Sequence, residues 1–116
     1  MLERDTSDAK CYGLAEIVKK NLTQGLDTET FDDKDKSAAK NAVAVYMGAH
    51  LAKVVARNET YVPEMDKLAR KVLWEELAKV YEEHEEDLGV VSDEKITRLE
   101  VHVQNAVVVA FSEMFP

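Results

Sequence analysis

The chain of 116 residues is 46% hydrophobic and 33% charged, a length and apolar content typical of one domain, residues 1–116, with one hydrophobic core. Its 23 acidic and 15 basic residues give a formal net charge of −8, which argues against nucleic-acid binding because affinity for that polyanion comes largely from cations. It holds one cysteine, no apolar run long enough for a membrane span and no apolar leader, so we expect a cytoplasmic protein without an internal disulfide or a membrane partner.

The first predicted helix covers residues 7–24. Thr6 or Ser7 can cap its start, and Gly25 is placed to end it in the left-handed conformation that glycine adopts at low cost. Its apolar side chains recur at helical spacing at Leu14, Ile17, Val18 and Leu22. Cys11 lies one turn earlier on much the same face. We interpret it as a small core residue rather than a reactive thiol, because an apolar environment disfavours the thiolate.

An acidic link, residues 27–36, leads into the second helix, with Phe31 as its only bulky apolar side chain. Asp33 and Asp35 alternate as in the first positions of a calcium-binding loop, but Ala38 and Ala44 stand where such a loop needs glycine and a bidentate carboxylate. We therefore predict that these acids are solvated and interact with the positive end of the helix dipole.

The second predicted helix covers residues 33–57 and is apolar nearly all the way round. Between residues 42 and 56 only His50 and Lys53 are strongly polar. Small residues at successive four-residue steps form one smooth ridge, consisting of Ala44, Gly48, Ala52 and Ala56. Such a ridge lets another helix approach closely, and a helix with so little polar face is expected to be covered on most sides.

The third predicted helix covers residues 63–88, with Pro63 at its first position and Gly89 closing it. It carries a regular apolar stripe and an opposite charged face. Trp74 points away from the middle of the stripe. Two interpretations of this tryptophan stay open: an anchor at a protein interface, or the edge of the core.

The fourth predicted helix covers residues 93–115, and Ser92 can cap it. The alternation around Val101 and the β-branched run 107–109 also fit a strand, but a lone strand in this chain would have no partner. We therefore predict a helix. Like the second helix, it has surplus apolar residues outside its main stripe, namely Val101, Val108 and Phe115.

Four helices joined by short links predict an all-α, single-domain antiparallel four-helix bundle. The surplus apolar residues of the second and fourth helices favour burial against another chain, because a monomer rarely leaves such a surface wet. The predicted interaction surface contains Ala44, Gly48, Ala52, Ala56, Trp74, Val101, Val108 and Phe115. The alternative is a splayed monomeric bundle in which the second helix is simply central.

No residue pattern in the chain indicates catalysis or a cofactor. A bundle metal site often uses Glu three residues before His, but Met47, Tyr81 and Leu99 precede the three histidines at that distance. The serines are interpreted as caps, and the isolated glycines form no phosphate-binding loop. The sequence thus predicts neither catalytic nor metal-binding residues.

We therefore expect a small, acidic, non-enzymatic interaction or regulatory module that associates through its second and fourth helices, as a homodimer or with another protein. Two alternatives stay open. One is an acidic inhibitor or immunity protein that masks a basic site. The other is a metal- or small-ligand-binding bundle that uses His50, His84 or His102.

Overall fold

The computed structural model describes the backbone of residues 2–61 and 67–115, and the side chains of residues 12–61 and 67–115. Helix α1 is Leu2–Leu26 and α2 is Asp33–Tyr46; a π-helical turn, Met47–Leu51, joins α2 directly to α3, Ala52–Ala56. Then follow α4, Leu68–Glu83, a 3-10 turn, Leu88–Val90, and α5, Asp93–Met114. The described residues contain no strand, so the predicted all-helical bundle is confirmed.

The helices pack as two main pairs, α1 with α5 and α2 with α4. Gly25 of α1 lies against His102 of α5, and Gly13 lies against Met114, so this pair is antiparallel. The first turn of α2 meets the last turn of α4 through Asp35 and Tyr81. Weaker α1–α2 and α4–α5 contacts close the ring, which places α2 and α5 at diagonal corners of the bundle.

The core lies between the four long helices, and its apolar stripes are those expected from the helical periodicity. Its largest fully buried side chains are Tyr46, Tyr81, Leu14, Leu22, Leu26, Leu51, Leu73, Leu77, Ile96, Leu99, Val18 and Val43. Among the residues that the structure describes, none of the helices combines the length and the apolar character needed to cross a bilayer.

The predicted start and end of the first helix are wrong. The helix begins at Leu2, so the backbone of Thr6 and Ser7 lies inside it and neither residue caps it. It continues through Gly25 to Leu26, and Gly25 does not have a positive φ. This glycine serves close packing instead, because a Cβ there would lie 2.9 Å from Nδ1 of His102.

The third helix ends five residues earlier than predicted, at Glu83 instead of residue 88. Glu85 adopts the left-handed conformation with φ 55°, and the N–H groups of Glu85 and Glu86 donate to the carbonyls of Glu82 and Tyr81. This is the Schellman arrangement that satisfies the last carbonyls of a helix. The predicted start at Pro63 lies outside the described residues.

The other helix boundaries follow the prediction more closely. The second helix covers 33–56 as a continuous helical run, although the π-helical turn interrupts its α-helical hydrogen bonding. Helix α5 is helical throughout its β-branched stretch, as predicted. Ser92 caps it, since its Oγ accepts a hydrogen bond from the Lys95 N–H at 3.1 Å.

Candidate interaction surface

The outer face of α5 exposes a line of apolar side chains. Val101, Val108 and Phe115 follow each other at seven-residue steps, which places them on one side of the helix over a length of about 21 Å. Val101 is 45% exposed, and Val108, Phe115 and the adjacent Val109 are exposed as well. These side chains are four of the seven exposed large apolar residues among the described residues.

A groove of about 290 Å³ opens at one end of this line, between α3, residues 58–61 and the C-terminal part of α5. Its apolar walls come from both helices and from the connecting segment, and its rim carries four polar side chains. The lining residues are Val55, Asn58, Glu59, Thr60, Tyr61, Val108, Phe111, Ser112 and Phe115. The groove therefore joins the α5 line to the end of the second helix.

Aromatic rings form the floor of the groove. The rings of Tyr61 and Phe111 are nearly parallel, with centroids 5.9 Å apart and an interplanar angle of 22°. Phe115 follows at 5.5 Å from Phe111. Below them, the buried Tyr46 hydroxyl donates to the Tyr61 hydroxyl at 2.9 Å. This contact holds Tyr61 against the core.

The aromatic contacts continue from Tyr61 through Tyr46 to the π-helical turn. His50 lies in this turn and stacks on Tyr46, with ring centroids 5.5 Å apart. A π-helical turn inserts one residue into a helix and changes the direction of the side chains that follow it. The turn therefore sets which face of α3 meets the groove, where Val55 is half-buried and Ala56 is exposed.

The predicted surface residues fall into three places. Val108 and Phe115 line the groove, and Val101 lies farther along the same face of α5. The small-residue ridge of the second helix faces outward: Ala44, Gly48 and Ala56 are exposed and Ala52 is half-buried. Trp74, on α4, is partly buried and packs against the core. Because α2 and α5 occupy diagonal corners of the bundle, the ridge and the α5 line lie on different sides of the molecule.

Gly48 is open to solvent in the structure. A Cβ built on this residue meets no atom within 4 Å. At Gly48, therefore, no neighbouring helix of the described residues packs against the ridge.

The opposite end of the bundle holds a buried carboxylate, which corrects the prediction that the acids of residues 33–35 are all solvated. Asp35 is fully buried. The Tyr81 hydroxyl donates to its Oδ1 at 2.8 Å, and Lys95 Nζ lies 2.8 Å from its Oδ2 as an ion pair without good hydrogen-bond geometry. The three residues join α2, α4 and α5. Burial, followed by the hydrogen bond to Asp35, raises the pKa of Tyr81 to about 12.

A second polar cluster ties the α1–α2 link to α5. Glu29 accepts hydrogen bonds from His102 Nε2 and from Arg98 Nε, the latter at 3.0 Å. The Arg98 guanidinium also lies 4.9 Å from the centre of the Phe31 ring. The hydrogen bond from His102, assisted by Arg98, lowers the pKa of Glu29 below its ordinary value. Both polar clusters hold the fold together and lie away from the groove.

The three histidines occupy separate settings. His50 stacks in the π-helical turn, His102 pairs with Glu29, and the exposed His84 donates from Nδ1 to the Val80 carbonyl at 2.9 Å. Within the described side chains, no three His, Cys, Asp or Glu residues converge as a metal site would require. The side chain of Cys11 falls outside the described residues.

Sequence reasoning missed Tyr61, Val55 and the groove role of Phe111. Tyr61 stands between the second and third predicted helices, and an aromatic residue after three polar ones is the signal that this segment packs inward. Phe111 recurs at helical spacing in the fourth predicted helix, which is typical of a core residue, but it is half-buried and lies between core and groove. Nothing in the sequence indicated that residues 58–61 fold between α3 and α5.

Comparison of the chain with protein-family models, with curated proteins and with solved structures finds no match.

Proposed function

We propose that this chain is a small, acidic, non-enzymatic protein–protein interaction module. It associates through the outer faces of the second helix and α5, with a second copy of itself or as one subunit of a larger complex. The supporting observation is the position of the exposed large apolar side chains among the described residues. Of seven such side chains, five belong to these helices or directly follow them: Val45, Val101, Val108, Val109 and Phe115.

The physical argument rests on the C-terminal part of the α5 line, where Val108, Phe111 and Phe115 together line the groove. Gln104 and Asn105 separate Val101 from them on this face. Single exposed apolar residues are common on monomers, but several apolar side chains gathered around one groove form a patch. Covering that patch stabilises a complex by roughly 25 cal/mol for each Å² of apolar surface removed from water. Gly48 and its alanine neighbours add a face that a helix backbone can approach closely.

A charge placed in the line tests this proposal. We expect Val108→Asp to shift the full-length protein toward smaller species in sedimentation velocity, because the partner would have to bury a carboxylate. Val90→Asp is the matched control: Val90 is 69% exposed in the 3-10 turn, away from the α5 line. Circular dichroism checks that both variants stay helical. Equal sedimentation of the parent and both variants would contradict the proposal.

The second candidate is an acidic inhibitor that masks a basic site on another protein. It is favoured by the net charge of −8 and by the exposed acidic segment of residues 82–87, at the end of α4 and in the turn that follows. Such binding relies on attraction between exposed charges and weakens as salt screens them. Equal affinity at low and high salt would argue against it.

A further inference from the structure

We propose that the groove between α3, residues 58–61 and α5 binds an arginine side chain presented by a basic partner protein. This inference rests on the proposed function as an interaction module, and it adds the chemistry of one contact. Three features of the groove support it: its aromatic floor, its charge and its size.

The floor fits a planar cation. Tyr61 is buried, and its ring lies nearly parallel to that of the half-buried Phe111, at 22°. The rings of Phe111 and the exposed Phe115, which both line the groove, are therefore the aromatic surface that a ligand can reach. A guanidinium group stacks on such faces and is attracted by their negative π density. The aliphatic stem of arginine can cover Val55 and Val108 at the walls while its charged end stays at the wet rim.

The charge of the groove selects a cation. Glu59 is the only titratable side chain, tyrosine aside, among the described lining residues, and its carboxylate can accept two parallel N–H bonds from a guanidinium. Arg57 approaches this carboxylate only to 4.0 Å, and both side chains are largely exposed, so this ion pair is weak and easily exchanged. Asn58, Thr60 and Ser112 supply neutral polar partners at the rim.

The net charge distinguishes the two possible occupants. A second copy of this chain would bring another −8 toward the Glu59 rim, whereas a basic partner would be attracted by the same field. The groove volume of about 290 Å³ is near the lower limit for ligand sites, which suits one long side chain rather than a whole helix.

Titration of the full-length protein with N-acetyl-arginine amide, followed by nuclear magnetic resonance, tests the inference. The control ligand is N-acetyl-citrulline amide, which has nearly the same shape without the charge. We expect the amide signals of Thr60, Tyr61, Phe111 and Ser112 to move, and arginine to bind about fivefold more tightly than citrulline at low salt.

Two variants and one matched control assign this preference to the groove. Glu59→Gln, at an exposed residue, is expected to reduce the arginine preference to about twofold, and Phe111→Leu is expected to weaken both ligands by removing the aromatic floor. Glu82→Gln removes another exposed carboxylate, on α4, and should change neither value. Unfolding curves of the three variants identify any loss of binding that comes from loss of fold.

Equal binding of the two ligands, or signals that move only outside the groove, would overturn the arginine proposal. The same holds if dilution of the protein alone moves the groove signals, because a second copy would then be the occupant. In either case an assembled native mass would leave the interaction module in place. A monomeric mass with arginine-specific shifts would instead contradict self-association and keep the arginine site.

Discussion

Asp35 links three helices of this fold through a buried carboxylate. Its carboxylate is fully buried where α2, α4 and α5 meet, and it is held by the Tyr81 hydroxyl and the Lys95 ammonium. A buried charge is tolerated only when it is paired and hydrogen-bonded, so these contacts act together. They fix how the start of α5 sits against the other two helices.

Tyr81→Phe is expected to destabilise the protein by about 1–3 kcal/mol, because it removes one partner of a buried carboxylate and leaves the ring in place. The pKa of Tyr81 is raised to about 12, so its contribution is fully present below the ordinary tyrosine pKa of 10.0 and declines as pH rises toward 12. Urea unfolding of the parent and variant at neutral and alkaline pH measures both effects. Tyr12→Phe, at a side chain 78% exposed, should have no effect.

Glu29→Gln tests the second polar cluster through its pH dependence. The pKa of Glu29 is lowered by His102 and Arg98, so its contribution is present above its ordinary value of 4.5 and is lost as pH falls through the lowered value. The variant should therefore unfold at lower urea than the parent at neutral pH. The two should converge in strong acid. Glu16→Gln, on the exposed face of α1, should follow the parent at every pH.

At the scale of elements, the helix ends depend on backbone geometry more than on residue type. Both Asn58 and Glu85 take positive φ, at 58° and 55°, and each closes a helix by the same pattern of hydrogen bonds. Asparagine tolerates this conformation, whereas glutamate does so at a cost. The packing of Tyr81 and Val91 into the core places the turn at this point and compensates that cost.

Glu85→Gly is expected to stabilise the protein by about 1 kcal/mol, because glycine adopts the left-handed conformation without the Cβ penalty. The corresponding change one turn earlier, Glu82→Gly, lies inside α4 and should destabilise by a similar amount. Thermal unfolding of both variants measures these changes: the unfolding temperature should rise for Glu85→Gly and fall for Glu82→Gly. A loss of stability for Glu85→Gly would show that its side chain contributes more than its strained backbone costs.

The periodicity of apolar residues predicted the four helices, but it did not predict their ends or their buried charge. The cap at Ser92 could be predicted from the sequence, because the Ser92 side chain bonds to a backbone N–H only three residues away. Gly25, by contrast, looked like a helix end, and its role depends on His102, which is 77 residues away in the chain. Asp35 likewise looked like a solvated residue near a helix start, because its partners come from two distant helices.

At the scale of the whole molecule, the surplus apolar character of the second and fourth predicted helices appears as exposed faces at diagonal corners. The sequence could identify Val101, Val108 and Phe115, because a face left outside the main stripe is visible in the helical period. It could not identify the groove, since the position of Tyr61 depends on how the link after α3 folds.

Gly48→Leu tests the face of the second helix. The structure leaves open space at this position, so the larger side chain should not disturb the folded chain. Leucine is also a better helix former than glycine by roughly 0.8 kcal/mol. We expect association to weaken, because the side chain fills the surface that a neighbouring backbone would approach. Gly48→Ala keeps the ridge small and should associate like the parent. Unchanged association of Gly48→Leu in sedimentation equilibrium would exclude this face from the contact.

The native mass of the untagged full-length protein tests the central claim most directly. We predict a homodimer or a complex with a co-purified protein in native mass spectrometry, because the apolar faces of the second helix and α5 are then covered. A bare monomer of 13.1 kDa over the whole accessible concentration range, with no co-purified protein, would contradict the proposed function.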